Sequence, residues 1–146
     1  MLKKVGLMPC NGMSFIMSTV ARDVCRTVSE VLLPGKICFI DTSCIIAGIE
    51  EEMETVRQVP ILAVDGCKLK CAVKALDKRG IIPDDVIIIT DIMRASGLSL
   101  RGEDRNRLGP AGQSLVSLVS KKTADRAARL LYHMSEKNLT IKGYSK

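Results

Sequence analysis

The segment Pro60-Ile-Leu-Ala-Val-Asp-Gly-Cys67 decides the fold. Residues 60–64 form a short apolar run that ends in polar residues and a glycine, which is typical of a buried strand in a parallel sheet. The stretch 68–79 that follows is predicted to be a helix, and Gly80 stops it. A strand followed directly by a helix is the repeating unit of α/β proteins, so the same unit should recur on either side.

The strand–helix unit does recur along the chain. Strands are predicted at 3–8, 36–41 and 86–89, and helices at 15–32 and 48–57. Ser14 is the predicted N-cap of the first of these helices. At least three alternations predict a single three-layer α/β domain over residues 1–146, with a mostly parallel, Rossmann-like sheet of four to five strands.

The last third of the chain is more polar. Residues 94–112 contain four glycines and Pro110, and they predict a long loop. Loops of this length are usually functional, so this one is the expected contact point for a protein partner. Residues 114–119 fit either a fifth strand or the start of a helix, and residues 123–134 predict a C-terminal helix.

Composition argues against two classes of partner. The net charge of +6 invites a nucleic-acid interpretation, but the basic residues are spread along the chain and Trp is absent, so base-stacking platforms are scarce. No stretch approaches the roughly 18 apolar residues of a membrane-spanning helix. The apolar start is interrupted at Pro9, unlike a signal peptide. We therefore expect a cytoplasmic protein that keeps its cysteines reduced.

Four of the six cysteines share a position relative to the predicted strands. Cys10, Cys44 and Cys67 each follow a strand, and Cys71 comes one helical turn after Cys67. In a parallel sheet the strand ends meet at one edge, which is where such folds place their ligand sites. The four thiols are therefore expected to converge. Cys25 and Cys38 lie inside a predicted helix and strand, where cysteine behaves as a small core residue.

Four convergent thiolates form a four-cysteine site, which suits tetrahedral zinc. Lys68 adds positive charge beside it, and Gly12 and Gly66 would let backbone N–H groups approach sulfur closely. Asp65 either orients its loop by bonding to backbone N–H groups or accepts hydrogen bonds next to the metal. An iron–sulfur cluster on the same cysteines remains an alternative.

These motifs resemble a known family. The segment Val64-Asp65-Gly66-Cys67-Lys68-Leu69-Lys70-Cys71-Ala72 resembles the signature of the DGC-domain family, small proteins named for an Asp-Gly-Cys motif and carrying four characteristic cysteines. Two other family motifs are similar to Pro9-Cys10-Asn11-Gly12-Met13-Ser14, where serine is more usual at position 11, and to Cys44-Ile45-Ile46-Ala47-Gly48-Ile49. The resemblance covers about residues 3–91. It implies a zinc site at Cys10, Cys44, Cys67 and Cys71, and it implies no reaction.

Functions of different classes stay open. Four thiolates leave zinc no open position, which favours a non-catalytic metal carrier, sensor or accessory protein. A thiol redox or sulfur-transfer enzyme using Cys67 and Cys71 is the alternative. The phosphate cradle of small tyrosine phosphatases requires an arginine six residues after the nucleophilic cysteine, and this chain has Ile16 six residues after Cys10. That activity is therefore excluded.

Overall fold

The computed structural model describes residues 3–143, together with the side chains of residues 3–136. In chain order the elements are β1 (Val5–Pro9), α1 (Ile16–Thr27), β2 (Ile37–Phe39), α2 (Thr42–Ala47), α3 (Glu50–Gln58), β3 (Ile61–Asp65), α4 (Cys71–Asp77), β4 (Asp85–Ile88), α5 (Ile89–Ser96) and α6 (Pro110–Gly143). Helix α1 continues as a π-helical turn over Val28–Leu32. Its N-cap position is occupied by Phe15 and receives no side-chain hydrogen bond, so the predicted cap at Ser14 was wrong.

Within the described residues the sheet has four strands, all parallel, in the order β2-β1-β3-β4. The predicted α/β fold with a parallel sheet is confirmed. After β1 the chain continues to β2, which lies on one side of the central pair β1 and β3. After β3 it continues to β4, which lies on the opposite side. The crevice beyond the carboxyl ends of β1 and β3 is therefore the topological switch point, where open α/β sheets bind ligands.

Helices cover the sheet on both faces and form two separate cores. Successive strand residues point to opposite faces, so Leu7 contributes to one core and Met8 to the other, and both are fully buried. The core on the Leu7 side is completed by α1 and α6, including Val20, Val24, Leu115 and Val119. The core on the Met8 side is completed by α2, α3 and α4, including Ile45, Met53 and Leu76.

The C-terminal region is more helical than predicted. The predicted long loop at 94–112 is reduced to residues 97–109, because α5 runs through Ser96 and α6 begins at Pro110. Gly97 ends α5 in a left-handed conformation (φ 71°), and Pro110 suits the first helical position, where no N–H bond is lost. Residues 114–119 are helical, and the predicted helix at 123–134 is the middle part of α6.

The start of α6 is capped by a side chain from the preceding loop. Glu103 accepts hydrogen bonds from the backbone N–H groups of Gly109 (3.1 Å), Ala111 (2.9 Å) and Gly112 (2.9 Å). A Cβ atom at Gly109 or Gly112 would lie 2.8 or 2.5 Å from a carboxylate oxygen of Glu103. These glycines thus leave room for a carboxylate at the positive end of the helix.

We expect Glu103→Ala to destabilise the protein by about 1–3 kcal/mol, because three N–H groups at the start of α6 lose a charged acceptor. Glu103→Gln should cost less, since one carbonyl oxygen remains. Urea denaturation of both variants checks this, with Asp104→Asn as the control because Asp104 bonds only locally, to the N–H group of Asn106. Equal midpoints for Glu103→Ala and Asp104→Asn would contradict the capping role.

Candidate metal centre

Cys10 lies directly after β1 and is 6% exposed. Its Sγ accepts a hydrogen bond from the Gly66 N–H group at 3.2 Å and lies 3.7 Å from the Ser18 Oγ. Burial raises the pKa of the Cys10 thiol, and its hydrogen bonds with Gly66 and Ser18 oppose this effect. The carboxylate of Asp65 adds to the rise. Burial thus favours the thiol form of Cys10 over its thiolate.

Cys67 and Cys71 stand at the two ends of a tight turn after β3. The turn brings the chain to Lys70, which adopts a left-handed backbone conformation (φ 53°) immediately before α4. Helix α4 consequently begins at Cys71 and not at Lys68 as predicted. Cys10, Cys67 and Cys71 line one pocket of about 130 Å³. The pocket lies at the switch point, because Cys10 follows β1 and Cys67 follows β3.

Gly66, in the Asp-Gly-Cys turn, packs directly against the first turn of α1. A Cβ atom at Gly66 would lie 2.7 Å from the Cβ of Met17 and 3.1 Å from the backbone carbonyl atoms of Met17. Any larger residue must displace backbone. Gly12 also lines the pocket, where a Cβ atom would meet the Ser18 hydroxyl at 3.0 Å. Close approach of glycine backbone therefore sets the width of the pocket.

Asp65 ends β3 and is 1% exposed. Its carboxylate accepts hydrogen bonds from the backbone N–H groups of Ala72 (2.9 Å) and Val73 (3.3 Å), in the first turn of α4. Burial raises the pKa of Asp65, while these two bonds and Lys70 lower it. Asp65 thus fixes the position of Cys71 relative to β3. Lys68 is exposed and is not among the residues that line the pocket, where Lys70 lies instead.

Cys44 lies apart from the other three cysteines. It sits on α2 rather than in a loop as predicted, and it is not among the residues that line the pocket. The reason is topological. Strand β2 is an edge strand, and α2 packs on the Met8 side of the sheet, against α4. Burial raises the pKa of Cys44, and the nearby carboxylates of Asp41 and Glu52 add to the rise.

Two contacts tie α2 to its neighbours, one to the residue before Cys10 and one to the chain just beyond the C-terminal end of α4. The Thr42 hydroxyl donates a hydrogen bond to the Pro9 carbonyl at 2.8 Å, one residue before Cys10. Arg79, just beyond α4, donates to the carbonyls of Ile45 (2.9 Å) and Ile46. Sequence reasoning missed these positioning residues. Neither a threonine nor an arginine carries a local pattern that reveals a partner about 30 residues away in the chain.

Among the side chains of residues 3–136, no set of three or more Cys, His, Asp or Glu is grouped closely enough to hold a metal ion. The structure therefore brings three of the predicted ligands into one pocket without assembling a coordination shell, and the four-cysteine site stays a prediction. Cys25 is fully buried in the core next to α6, and Cys38 is half-buried against the other core, as expected for packing residues. In the same described part of the chain no helix is long and apolar enough to cross a membrane.

One known family matches most of the chain. The family model described as the DGC domain matches residues 6–109, which is well over half of the 146-residue chain. The chain belongs to the DGC-domain family. The DGC match contains all four predicted ligands and ends immediately before α6, so it reaches beyond the residues 3–91 that carry the resemblance. Searches of curated proteins and of solved structures found no match to the chain.

Proposed function

We propose that this DGC-domain protein binds one zinc ion through Cys10, Cys44, Cys67 and Cys71. The observation that carries the proposal is the pocket at the switch point, which three of these cysteines share. Thiolate sulfur is a preferred ligand of zinc in closed tetrahedral sites. The six cysteines of the chain are all free, so none of the four thiols is already used in a disulfide.

The residues around the pocket fit a thiolate-bound cation. The Gly66 N–H group already donates to the Cys10 sulfur, and hydrogen bonds of this kind stabilise a metal-bound thiolate. Cys44 is carried by α2, which packs against the helix that begins at Cys71. Bound zinc would supply a positive charge that holds the surrounding thiols deprotonated and draws them together.

The proposed role is non-catalytic: a metal carrier, sensor or accessory protein. Four protein ligands leave no coordination position for a substrate or a reactive water. Both cores of the domain are built from many apolar side chains, whereas zinc fingers have too small a core to fold without zinc. The reducing cytoplasm is the proposed location, since free thiols persist there.

Metal analysis of the protein tests this proposal. The protein should be purified without oxygen, its metal content measured by mass spectrometry, and its free thiols titrated before and after chelation. One zinc per chain, with four thiols protected until the chelator is added, is the expected result. A metal-free protein with a Cys67–Cys71 disulfide would refute it in favour of thiol redox chemistry, and stoichiometric iron with sulfide would replace zinc with an iron–sulfur cluster.

Alkylation of the metal-free protein should follow the burial of the thiols. We expect Cys71, which is exposed, to react with iodoacetamide first, and Cys25 to react last. Cys25 is fully buried, and burial raises the pKa of its thiol, so both reagent access and thiolate formation are disfavoured. Peptide mapping by mass spectrometry over a time course measures the order. Rapid labelling of Cys25 before unfolding would contradict the packing of α1 against α6.

A further inference from the structure

Two large, exposed apolar side chains line the cysteine pocket, and a third is exposed on the loop that carries one of them. Met13, Phe15 and Leu69 are 84%, 65% and 55% exposed, and we call them the pocket rim. Phe15 and Leu69 line the pocket together with Cys67 and Cys71, and Met13 lies on the same loop as Phe15. Exposed apolar groups clustered around a concave site are typical of an interaction surface. Without a binding role, such a cluster would make the protein more prone to aggregate.

Cationic side chains flank the pocket rim. Lys68 and Lys70 lie on either side of Leu69 and are both exposed. Arg22 donates a hydrogen bond to the Gly12 carbonyl and Arg105 donates one to the Ser14 carbonyl, so both guanidinium groups lie against the loop that carries Met13 and Phe15.

Acidic side chains are scarce among the residues that line the cysteine pocket. Asp65 is the one acidic residue among those that line the pocket, and its buried carboxylate is directed at backbone N–H groups of α4. Asp41 and Glu52 lie on the β2 side, in a neighbouring groove that Arg22 also lines, so the positive surface ends at Arg22.

We propose that the pocket rim is the docking site of a partner protein that presents an apolar side chain among acidic residues. The apolar side chain would contact Phe15 and Leu69, and the partner's carboxylates would pair with Lys68, Lys70, Arg22 and Arg105. A central apolar contact with a charged periphery is the usual anatomy of a protein interface. A concave pocket favours a projecting side chain over a flat lipid surface. The residues proposed to contact the partner are distinct from the four proposed zinc ligands.

Selection from a peptide library tests the proposal. The full-length protein, kept reduced, is used to select binders from random 12-residue peptides displayed on phage, and the enriched peptides are synthesised for affinity measurement. We expect peptides with Asp or Glu around an apolar residue, bound more weakly as salt is raised. Phe15→Ser combined with Leu69→Ser, and separately Lys68→Glu combined with Lys70→Glu, should each lower affinity about tenfold or more.

Matched control residues lie at the amino ends of two strands, whereas the pocket lies at the carboxyl ends. Ile82 is 86% exposed just before β4, and Lys36 is exposed just before β2, so Ile82→Ser and Lys36→Glu should leave affinity unchanged. Enriched peptides without acidic residues, or equal affinity in the rim and control variants, would overturn the proposal. So would rim-dependent co-sedimentation with phosphatidylglycerol vesicles in the absence of any enriched peptide. Zinc content measured on the same variants keeps the two proposals separate, because peptide binding by a zinc-free protein supports the docking site alone.

Discussion

Cys71→Ser should lower the affinity of the protein for zinc by more than about 100-fold. Loss of a single hydrogen bond that supports a metal ligand already costs roughly 10- to 100-fold, and loss of a ligand should cost more. A serine hydroxyl is a poor substitute, because it stays protonated near neutral pH and oxygen is a harder donor than sulfur. The affinity can be measured without oxygen, by competition with a chromophoric zinc chelator.

Two further variants make the zinc measurement specific. Cys38→Ser is the control, because Cys38 is half-buried in β2 and its thiol contacts the Val5 carbonyl rather than the pocket. Its zinc affinity should match that of the unaltered protein. Cys44→Ser should weaken binding as Cys71→Ser does. If Cys44→Ser behaves like Cys38→Ser, the shell contains three cysteines and the four-cysteine proposal is wrong.

Gly66→Ala should destabilise the protein by about 1–3 kcal/mol, the usual cost of forcing extra atoms into a packed site. The added Cβ would fall 2.7 Å from the Met17 Cβ and 3.1 Å from the Met17 carbonyl atoms, so the first turn of α1 must move away from β3. A urea denaturation curve measures the change as a lower midpoint at unchanged slope.

Gly12→Ala is the matched control for this variant. It places a methyl group in the same pocket, but the atom it meets at 3.0 Å is the Ser18 hydroxyl, the tip of a side chain that can rotate. We expect a change below about 1 kcal/mol, since rotamer adjustment costs little. Equal destabilisation by both variants would show that cavity filling, and not contact with the α1 backbone, limits the size of residue 66.

The sequence predicted the sheet well because its signals are local. The apolar runs around Leu7, Ile37 and Leu62 are short and interrupted by glycine, proline or aspartate, and each became a parallel strand. The boundaries near the C-terminus were less predictable. Glycine and proline at 97–112 looked like loop residues, whereas Gly109 and Gly112 are small because the Glu103 carboxylate caps α6 there. That requirement depends on how the loop folds Glu103 back onto residues six to nine positions later, which the preferences of single residues do not reveal.

The candidate site likewise has features that local sequence signals predicted and features that they did not. Placing Cys10 and Cys67 together needed only the rule that parallel strand ends meet at one edge, and the structure shows them lining one pocket. The position of Cys44 depended on strand order, which puts β2 at the edge and α2 against α4. No local pattern encodes that order. The link from Arg79 to the α2 carbonyls is equally long-range in sequence and could not be read from it.

The position of the pocket between two helical layers has a consequence for local opening of the fold. Cys10 belongs to the core that α1 and α6 complete, whereas Cys71 begins α4 on the other face of the sheet. Cys10 itself follows β1 and its N–H group donates to the Val64 carbonyl of β3, so a ligand held by both sulfurs would tie α4 to the sheet at this edge. Fluctuations that lift α4 from the sheet would then have to release the ligand. Occupancy of the pocket would thus slow amide hydrogen exchange in α4, the shortest of the helices that complete the Met8 core apart from α2.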